Sequence, residues 1–308
     1  MDATEQAYAM WINSYKNSGW WKTLFKESYF LFRFGYLFLL NALRVRTVLF
    51  YPEYPVYKSE INKVLRRAGY NITNNPSWPH QHIIAWRDTT LRGAQPRLEE
   101  WARAHPVLNL TCTDISKEKV ERVFQSVFGY GLALDPCQHH GPCVRKSNAN
   151  AQHDGQIIDC PIETREPGYI YQRLIDNQVA PEAAGDLRAP IYGGRIPLVF
   201  VRFRPLTSRF DGDYLERVGD VESYLSGDEI ARVIAFARGM GLDYGDVDML
   251  RDPADDRLYI VDVNNTPRSP AHRSRRDVRR SVERGRRAFE AEFGAARTPA
   301  PPGQALPR

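Results

Sequence analysis

Residues 241–267 read GLDYGDVDMLRDPADDRLYIVDVNNTP, and the rest of the chain is ordered around them. Two apolar runs alternate with acids. The first, Tyr244 to Leu250, carries Asp246 and Asp248; the second, Arg257 to Val263, runs into Asp262, Val263 and Asn264. A turn-rich insert, Arg251 to Asp256, separates them, so the pair is expected to form a hairpin. Side chains alternate across a strand, which puts Asp246 and Asp248 on one face, and Asp262 with Asn264 on one face. A hairpin that joins those faces makes an oxygen-rich cluster. Hard divalent cations such as Mg2+ take carboxylate and amide oxygens and commonly work with phosphates. The competing explanation is a solvated hairpin with its acids in water. Against it, Asp262 and Asn264 close a run of buried character, Leu258-Tyr259-Ile260-Val261, where an unpartnered charge is costly.

The bulk numbers bound the classes. At 308 residues the chain can bury a sizeable core and form two or three lobes. Hydrophobic content of 43% and charged content of 26% are those of a soluble globular protein. The formal charge is +5, and much of it sits in the Arg-rich stretch from His272 to Arg287, which leaves the body near neutral. A nucleic-acid partner is therefore not expected. The four cysteines, Cys112, Cys137, Cys143 and Cys160, form no disulfide-scaffold pattern, and a reducing cytoplasm is the default. Cys137 to Cys143 (CQHHGPC) holds four zinc-type donors at a spacing that matches no standard finger, so these residues are better read as a loop.

Upstream of the acidic hairpin the chain alternates strands and helices. Trp11 to Leu43 is unusually aromatic and too short in its apolar run to span a bilayer. One or two helices packed on the body are expected there. An amphipathic segment resting on a membrane surface, and a cover for a homodimer face, are the two alternatives left open. Arg46 to Tyr51, Ile83 to Trp86 and Val107 to Leu110 read as strands around a helix from Ser59 to Ala68, a small α/β lobe with a partly parallel sheet. A further helix opens at Asp114 or Ser116, runs through Val120, Val123, Phe124 and Val127, and stops at Gly129.

Next comes a strand, Cys143 to Lys146, with Val144 and Lys146 on its inward face, then the polar loop Ser147 to Gly155. An inward lysine before a small polar loop is a weak signal for an anion grip. The strand Gln156 to Ile158 completes a hairpin, and Gly168 to Leu174 is another strand. Asp186 to Tyr192 and Arg195 to Arg204 pair around Gly193-Gly194, with Arg202 and Arg204 sharing one face. Those arginines either line an anion-binding cleft or are solvated edge-strand charges. Ser226 to Met240 is a helix that delivers the chain into the acidic hairpin. The helix from Arg273 to Phe293 has few apolar positions, and the tail from Ala295 has a disordered composition.

In this order the pieces resemble the ATP-grasp superfamily, which includes D-alanine–D-alanine ligase, biotin carboxylase and glutathione synthetase. The resemblance covers about Asn109 to Pro267. The segment DVDML…LYIVDVNNTP is similar to the family's metal-binding pattern and implies that Asp248, Asp262 and Asn264 hold one or two Mg2+ (or Mn2+) ions on the ATP phosphates. The family's usual Glu is Asp262 here. Lys117 in DISKEKV and Lys146 in CVRKSNANAQHDG match the two phosphate lysines, although the loop after Lys146 is poor in glycine. YQRLID matches the adenine hinge, which implies Gln172, Arg173 and Leu174 along the base and Asp176 near the ribose. Arg188 in DLRAPIYGG matches a phosphate-reaching arginine, with Arg202 and Arg204 beside it.

The resemblance implies an α/β (α+β) ATP-grasp fold. Its expected parts are an aromatic helical segment (1–45), a preceding α/β lobe (46–112) and the ATP-grasp domain (113–268), with a small lobe near 135–175 and a large lobe near 176–268. An Arg-rich helix (269–294) and the tail (295–308) follow. The implied activity is an ATP- and Mg2+-dependent ligase that activates a carboxylate as an acyl phosphate for an amine or thiol, on small-molecule or peptide substrates. The alternatives are a kinase of the same fold acting on a hydroxyl, and a non-catalytic nucleotide-binding module. No Ser/His/Asp set points to a covalent nucleophile; charge neutralisation by Lys, Arg and metal suffices for phosphoryl transfer.

Overall fold

The computed structural model describes residues 20–40, 46–57, 59–208, 214–269 and 274–294. Residues 11–19 and 41–43 of the aromatic segment, and the tail, lie outside the described residues. Within that segment Trp20–Leu40 forms helix α1.

Strands β1 (Thr47–Pro52), β2 (Asn71–Thr73), β3 (His82–Trp86) and β4 (Val107–Leu108) form a sheet in the order β2-β1-β3-β4. All its pairings are parallel rather than only some of them. Strands covered on both faces carry continuous apolar runs. Val48 and Phe50 face helix α2 (Glu60–Arg67), packing with Ile61, Val64 and Leu65. Leu49 and Tyr51 face the other way, onto Leu98 of helix α3 (Pro96–Trp101).

Helix α4 (Lys117–Phe128) starts where Ser116 Oγ accepts the Lys119 N–H, and ends at Gly129 with φ +80°. It buries Val120, Val123 and Phe124, each contributing roughly 1.5–3 kcal/mol of apolar burial. Strands β5 (Gly141–Ser147), β6 (Gln156–Cys160) and β7 (Tyr169–Arg173) form a three-stranded antiparallel sheet ordered β6-β5-β7.

The large sheet is antiparallel. It contains β8 (Gln178–Ala180), β9 (Ala183–Tyr192), β10 (Val199–Pro205), β11 (Leu215–Gly219), β12 (Tyr244–Asp252) and β13 (Arg257–Asn264). Its order is β11-β10-β9-β12-β13, with β8 on β9. Strand β10 begins at Val199 rather than Arg195; Pro197, which has no N–H for a ladder, lies in the preceding connection. Helix α5 (Gly227–Gly239) is entered through a capping box, Ser226 with Glu229.

Alternation gives the large sheet two unlike faces. Leu187, Ala189, Val201, Val247 and Met249 join Phe124 of α4 and Phe236 of α5 in the main core. The other face carries Asp186, Arg188, Arg202, Glu216, Asp246 and Asp248; in register Arg188 stands opposite Asp248, and Arg202 stands between Asp186 and Glu216. On β13 the register skips Val261: Asp262 pairs with Asp248, and Ile260 pairs with Met249. The bulge reverses the strand's facing. Leu258 and Ile260 lie in the core, whereas Asp262 and Asn264 line the opposite side.

Helix α6 (Arg275–Phe293) buries only Ser281, Gly285, Ala288 and Phe289, one narrow stripe. It crosses the parallel lobe and the large sheet together. A Cβ on Gly285 would lie 2.7 Å from Tyr192 Oη and 2.8 Å from Val64 Cγ2. Ser281 Oγ donates to Glu60 Oε1 at 2.5 Å. Phe289 shares one core with Tyr192, Tyr244 and the strands of the parallel sheet.

Candidate active site

The charged face of the large sheet and the three-stranded sheet enclose a cavity of about 690 Å³. Its lining contains eleven of the residues singled out in the sequence: Lys117, Lys146, Gln172, Arg173, Leu174, Arg188, Arg202, Arg204, Asp248, Asp262 and Asn264. Asp176 is left out. Its exposed carboxylate accepts the Gln178 N–H, and the buried Asn177 lines the cavity instead. Leu132, Val144, Met249 and Leu250 supply apolar lining.

The acids are held by arginines. Arg188 donates from Nε and Nη2 to the two oxygens of Asp248, and from Nη1 to Asp246 at 3.2 Å. Arg202 donates to Glu216 at 2.9 Å and to Asp248 at 3.3 Å. Its Nη2 is buried and has no hydrogen-bond partner among the described residues. Arg204 pairs with Asp186, and both Arg202 and Arg204 stack over Tyr214. Burial opposes the charge on Asp248, but Arg188 and Arg202 outweigh it and hold its pKa at about 2. For Asp246, burial dominates; Arg188 offsets only part of it, and the pKa rises to about 6. Asp262 is likewise raised by burial, against the pull of Lys117, with Asp248 adding repulsion.

The bulge places Lys146. Val261, which the ladder skips, offers its carbonyl, and the Lys146 ammonium donates to it at 3.2 Å. Burial lowers the Lys146 pKa to about 8 despite the attraction of Asp262. Lys117 is 8% exposed and donates to Ala149 O at 2.8 Å. Asn148 O accepts the Lys117 N–H, and Thr90 Oγ1 accepts that of Asn150. The loop after β5 is thus pinned to the start of α4. It is poor in glycine yet still uses left-handed backbone, at Ala151 (φ +58°) and His153 (φ +53°).

Several contributors carried no sequence signal strong enough to single them out. Glu121 accepts from the backbone of Leu132 and Ala133 and from Gln172 Nε2, which fixes the strand β7 against α4. Glu216 and Asp186 partner the arginines; alternation along LERVG and AAGDLR is the only trace they leave. Asp88, Thr266, Arg268 and Ser269 line the cavity where chain leaves β3 and β13, the ends of strands at which ligands gather in α/β proteins. Among the described residues no group of three or more His, Cys, Asp or Glu is placed to hold a metal ion, which covers the CQHHGPC loop too.

Neither a protein-family model nor a curated protein sequence matches the chain. Solved structures do. The ATP-grasp ligase PsnB complexed with a minimal precursor superposes with a TM-score of 0.53 at 13% identity, over 81% of this chain and 99% of that one. The chain has the ATP-grasp fold. A D-alanine–D-alanine ligase from Bacillus anthracis, complexed with ATP, gives a TM-score of 0.51 at 12% identity, over 82% of this chain and 97% of its own. PsnB with its precursor peptide PsnA2 and AMPPNP gives 0.50 at 12% identity, covering 81% and 98%. The matched part is about four-fifths of this chain and nearly the whole of each solved chain.

Proposed function

We propose that this ATP-grasp protein is an ATP- and Mg2+-dependent ligase that activates a carboxylate as an acyl phosphate for attack by an amine or thiol. One observation carries the reading: Lys117, Lys146 and Arg202 line the same cavity as Asp248, Asp262 and Asn264. Cations that grip phosphate and oxygens that grip a hard cation occur together, with apolar lining for a base.

The donor set fits Mg2+, which is commonly held by one or two carboxylates plus phosphate oxygens rather than by an all-protein cage. Asp248 and Asp262 face each other in register, and Asn264 Oδ1 accepts the Thr266 N–H. Asp262, Asp248 and Asn264 would hold the ion, which when bound neutralises phosphate charge. A bound PsnB structure contains Mg and ADP. Lys117 and Lys146 hold ATP phosphates, and Gln172, Arg173 and Leu174 flank the base. Arg188 fixes the charge state of Asp248, and Arg202 and Arg204 stabilise charge on the transferred phosphoryl group. The carboxylate oxygen takes the γ-phosphoryl group and ADP leaves. The nucleophile then attacks the acyl carbon, phosphate departs, and the nucleophile's proton passes to solvent.

The test is ADP release from the full chain with pooled amines and pooled carboxylates, including peptides because PsnB binds a precursor peptide. Asp262→Ala and Lys146→Ala are expected to lower turnover by about a hundredfold or more. Wild-type turnover in both would refute the site. Product analysis separates ligase from kinase: ADP with phosphate and an amide or thioester, against ADP with a phosphoester.

A further inference from the structure

The cavity uses nothing of helix α1, and α1 has a face to spare. Its inner side is anchored. Phe30 is 6% exposed and its ring lies 4.8 Å from that of Trp78. Glu27 accepts the Trp78 Nε1–H, and Arg33 donates to the carbonyls of Arg66 and Tyr70. Among the described side chains, the outer side from Leu24 to Leu39 is apolar apart from Ser28. Phe25 (76% exposed), Phe32 (77%) and Leu39 (71%) recur every seven residues, flanked by Leu31, Tyr29 and Tyr36. At roughly 150–250 Å² per aromatic side chain, these exposures make a continuous patch of several hundred Å², as large as the largest patch on a typical monomer, roughly 300–600 Å². The only acid in the helix, Glu27, points inward.

We propose that this outer face docks the protein on an anionic lipid surface, with α1 lying in the plane of the headgroups. Charge chooses the partner. Arginines gather at the seam between α1 and α2. Arg33 reaches the end of α2, Arg66 lies over the rings of Tyr29 and Tyr57, Arg46 lies over Tyr70, and Arg67 is exposed. Glu283 and Glu290 meet this group only at 3.7 Å and 3.6 Å. Val56 and Tyr57, both exposed, extend the apolar surface beside the arginines. An apolar stripe edged by arginines and tyrosines matches acyl chains beneath anionic headgroups. A second copy docked by the same face would bring two arginine seams together with no acid on either stripe to meet them. No described helix is long and apolar enough to cross a membrane, so the contact is parallel to the surface.

The experiment is co-sedimentation of the full chain with vesicles of phosphatidylcholine alone and of phosphatidylcholine containing phosphatidylglycerol. Binding is expected on the anionic vesicles, to weaken with added salt, and to drop at least about tenfold in Phe25→Ser/Phe32→Ser, since each ring contributes the transfer free energy of an apolar side chain. The melting temperature of the variant, whose altered rings are exposed, reports that it folds. No sedimentation with anionic vesicles, or equal sedimentation of wild type and variant, overturns the proposal. A dimer in sedimentation velocity that the double substitution dissolves, without vesicle binding, also overturns it and assigns the face to a second copy.

Discussion

Lys146 is the residue whose chemistry is most exposed to test. Burial brings its pKa to about 8, so its charge is lost as pH rises through that value. If it grips phosphate, kcat/KM for ATP falls above about pH 8, since that ratio reports ionisations of the free enzyme. Lys146→Arg, which stays charged, should remove that alkaline limb; a limb that persists in the variant would assign it elsewhere. Asp246 makes an opposite, purely structural prediction. Its folded pKa of about 6 lies above the ordinary 3.8. The stability it contributes is therefore complete below 3.8 and lost as pH rises through 6, because the folded chain holds the proton more tightly. Asp246→Asn should stabilise the protein at pH 7 by up to about 3 kcal/mol, since each unit of the shift is worth roughly 1.4 kcal/mol and the attraction of Arg188 is already contained in it. In urea melts the gain should vanish near pH 4. Asp248, Asp262 and Asn264 could be read from the sequence because period-two alternation places them on one face. Asn177, in place of Asp176, could not, because a loop has no period from which to infer facing.

At the scale of elements, the loop after β5 shows what composition hides. Its scarcity of glycine departs from the family's pattern, yet Ala151 and His153 adopt the left-handed backbone that glycine usually takes. Such a conformation costs an L-residue roughly 1–2 kcal/mol. Ala151→Gly should relieve that strain, partly offset by the greater freedom glycine has when unfolded, for a net gain of up to about 1 kcal/mol in thermal or urea melts. A loss of stability would mean that Ala151 is strain-free. The helices α4 and α5 were legible almost residue by residue, since capping serines and an apolar period are local. The pairing of Arg202 with Glu216 was not. It joins strands whose order only the folded sheet reveals, and a short segment such as LERVG carries too few alternations to announce its neighbour.

The whole molecule is tied by α6. Tyr192 and Tyr244 of the large sheet, Phe289 of α6 and Val64 of α2 lie in one core, so the parallel lobe and the large sheet should unfold together in a single transition. Gly285→Ala places a methyl group 2.7 Å from Tyr192 Oη and 2.8 Å from Val64 Cγ2. Overpacking of this kind costs about 1–3 kcal/mol. The transition midpoint should fall for both parts together, measured by near-ultraviolet circular dichroism and hydrogen exchange. Separate transitions would show that α6 does not couple them. An Arg-rich helix with few apolar positions gave no hint of this role in the sequence, because its contact is made by small residues that bring backbones close rather than by bulk.

Strand β13 poses a problem of parity. Leu258, Ile260, Asp262 and Asn264 are all even-numbered, so an unbroken strand would turn them to one side, and either the core would receive acids or the cavity would receive leucine and isoleucine. One surplus residue, Val261, resets the count, and the same chain serves oil on one side and charge on the other. Deleting Val261 would join Ile260 directly to Asp262, so plain alternation would still keep Ile260 in the core and Asp262 in the cavity, with Met249–Ile260 and Asp248–Asp262 paired in a regular ladder. What is lost is the carbonyl that holds the Lys146 ammonium. The variant should fold with its strand facings unchanged and bind ATP more weakly, because Lys146 loses its carbonyl partner; unchanged ATP affinity in titration calorimetry would show that this carbonyl does not position Lys146.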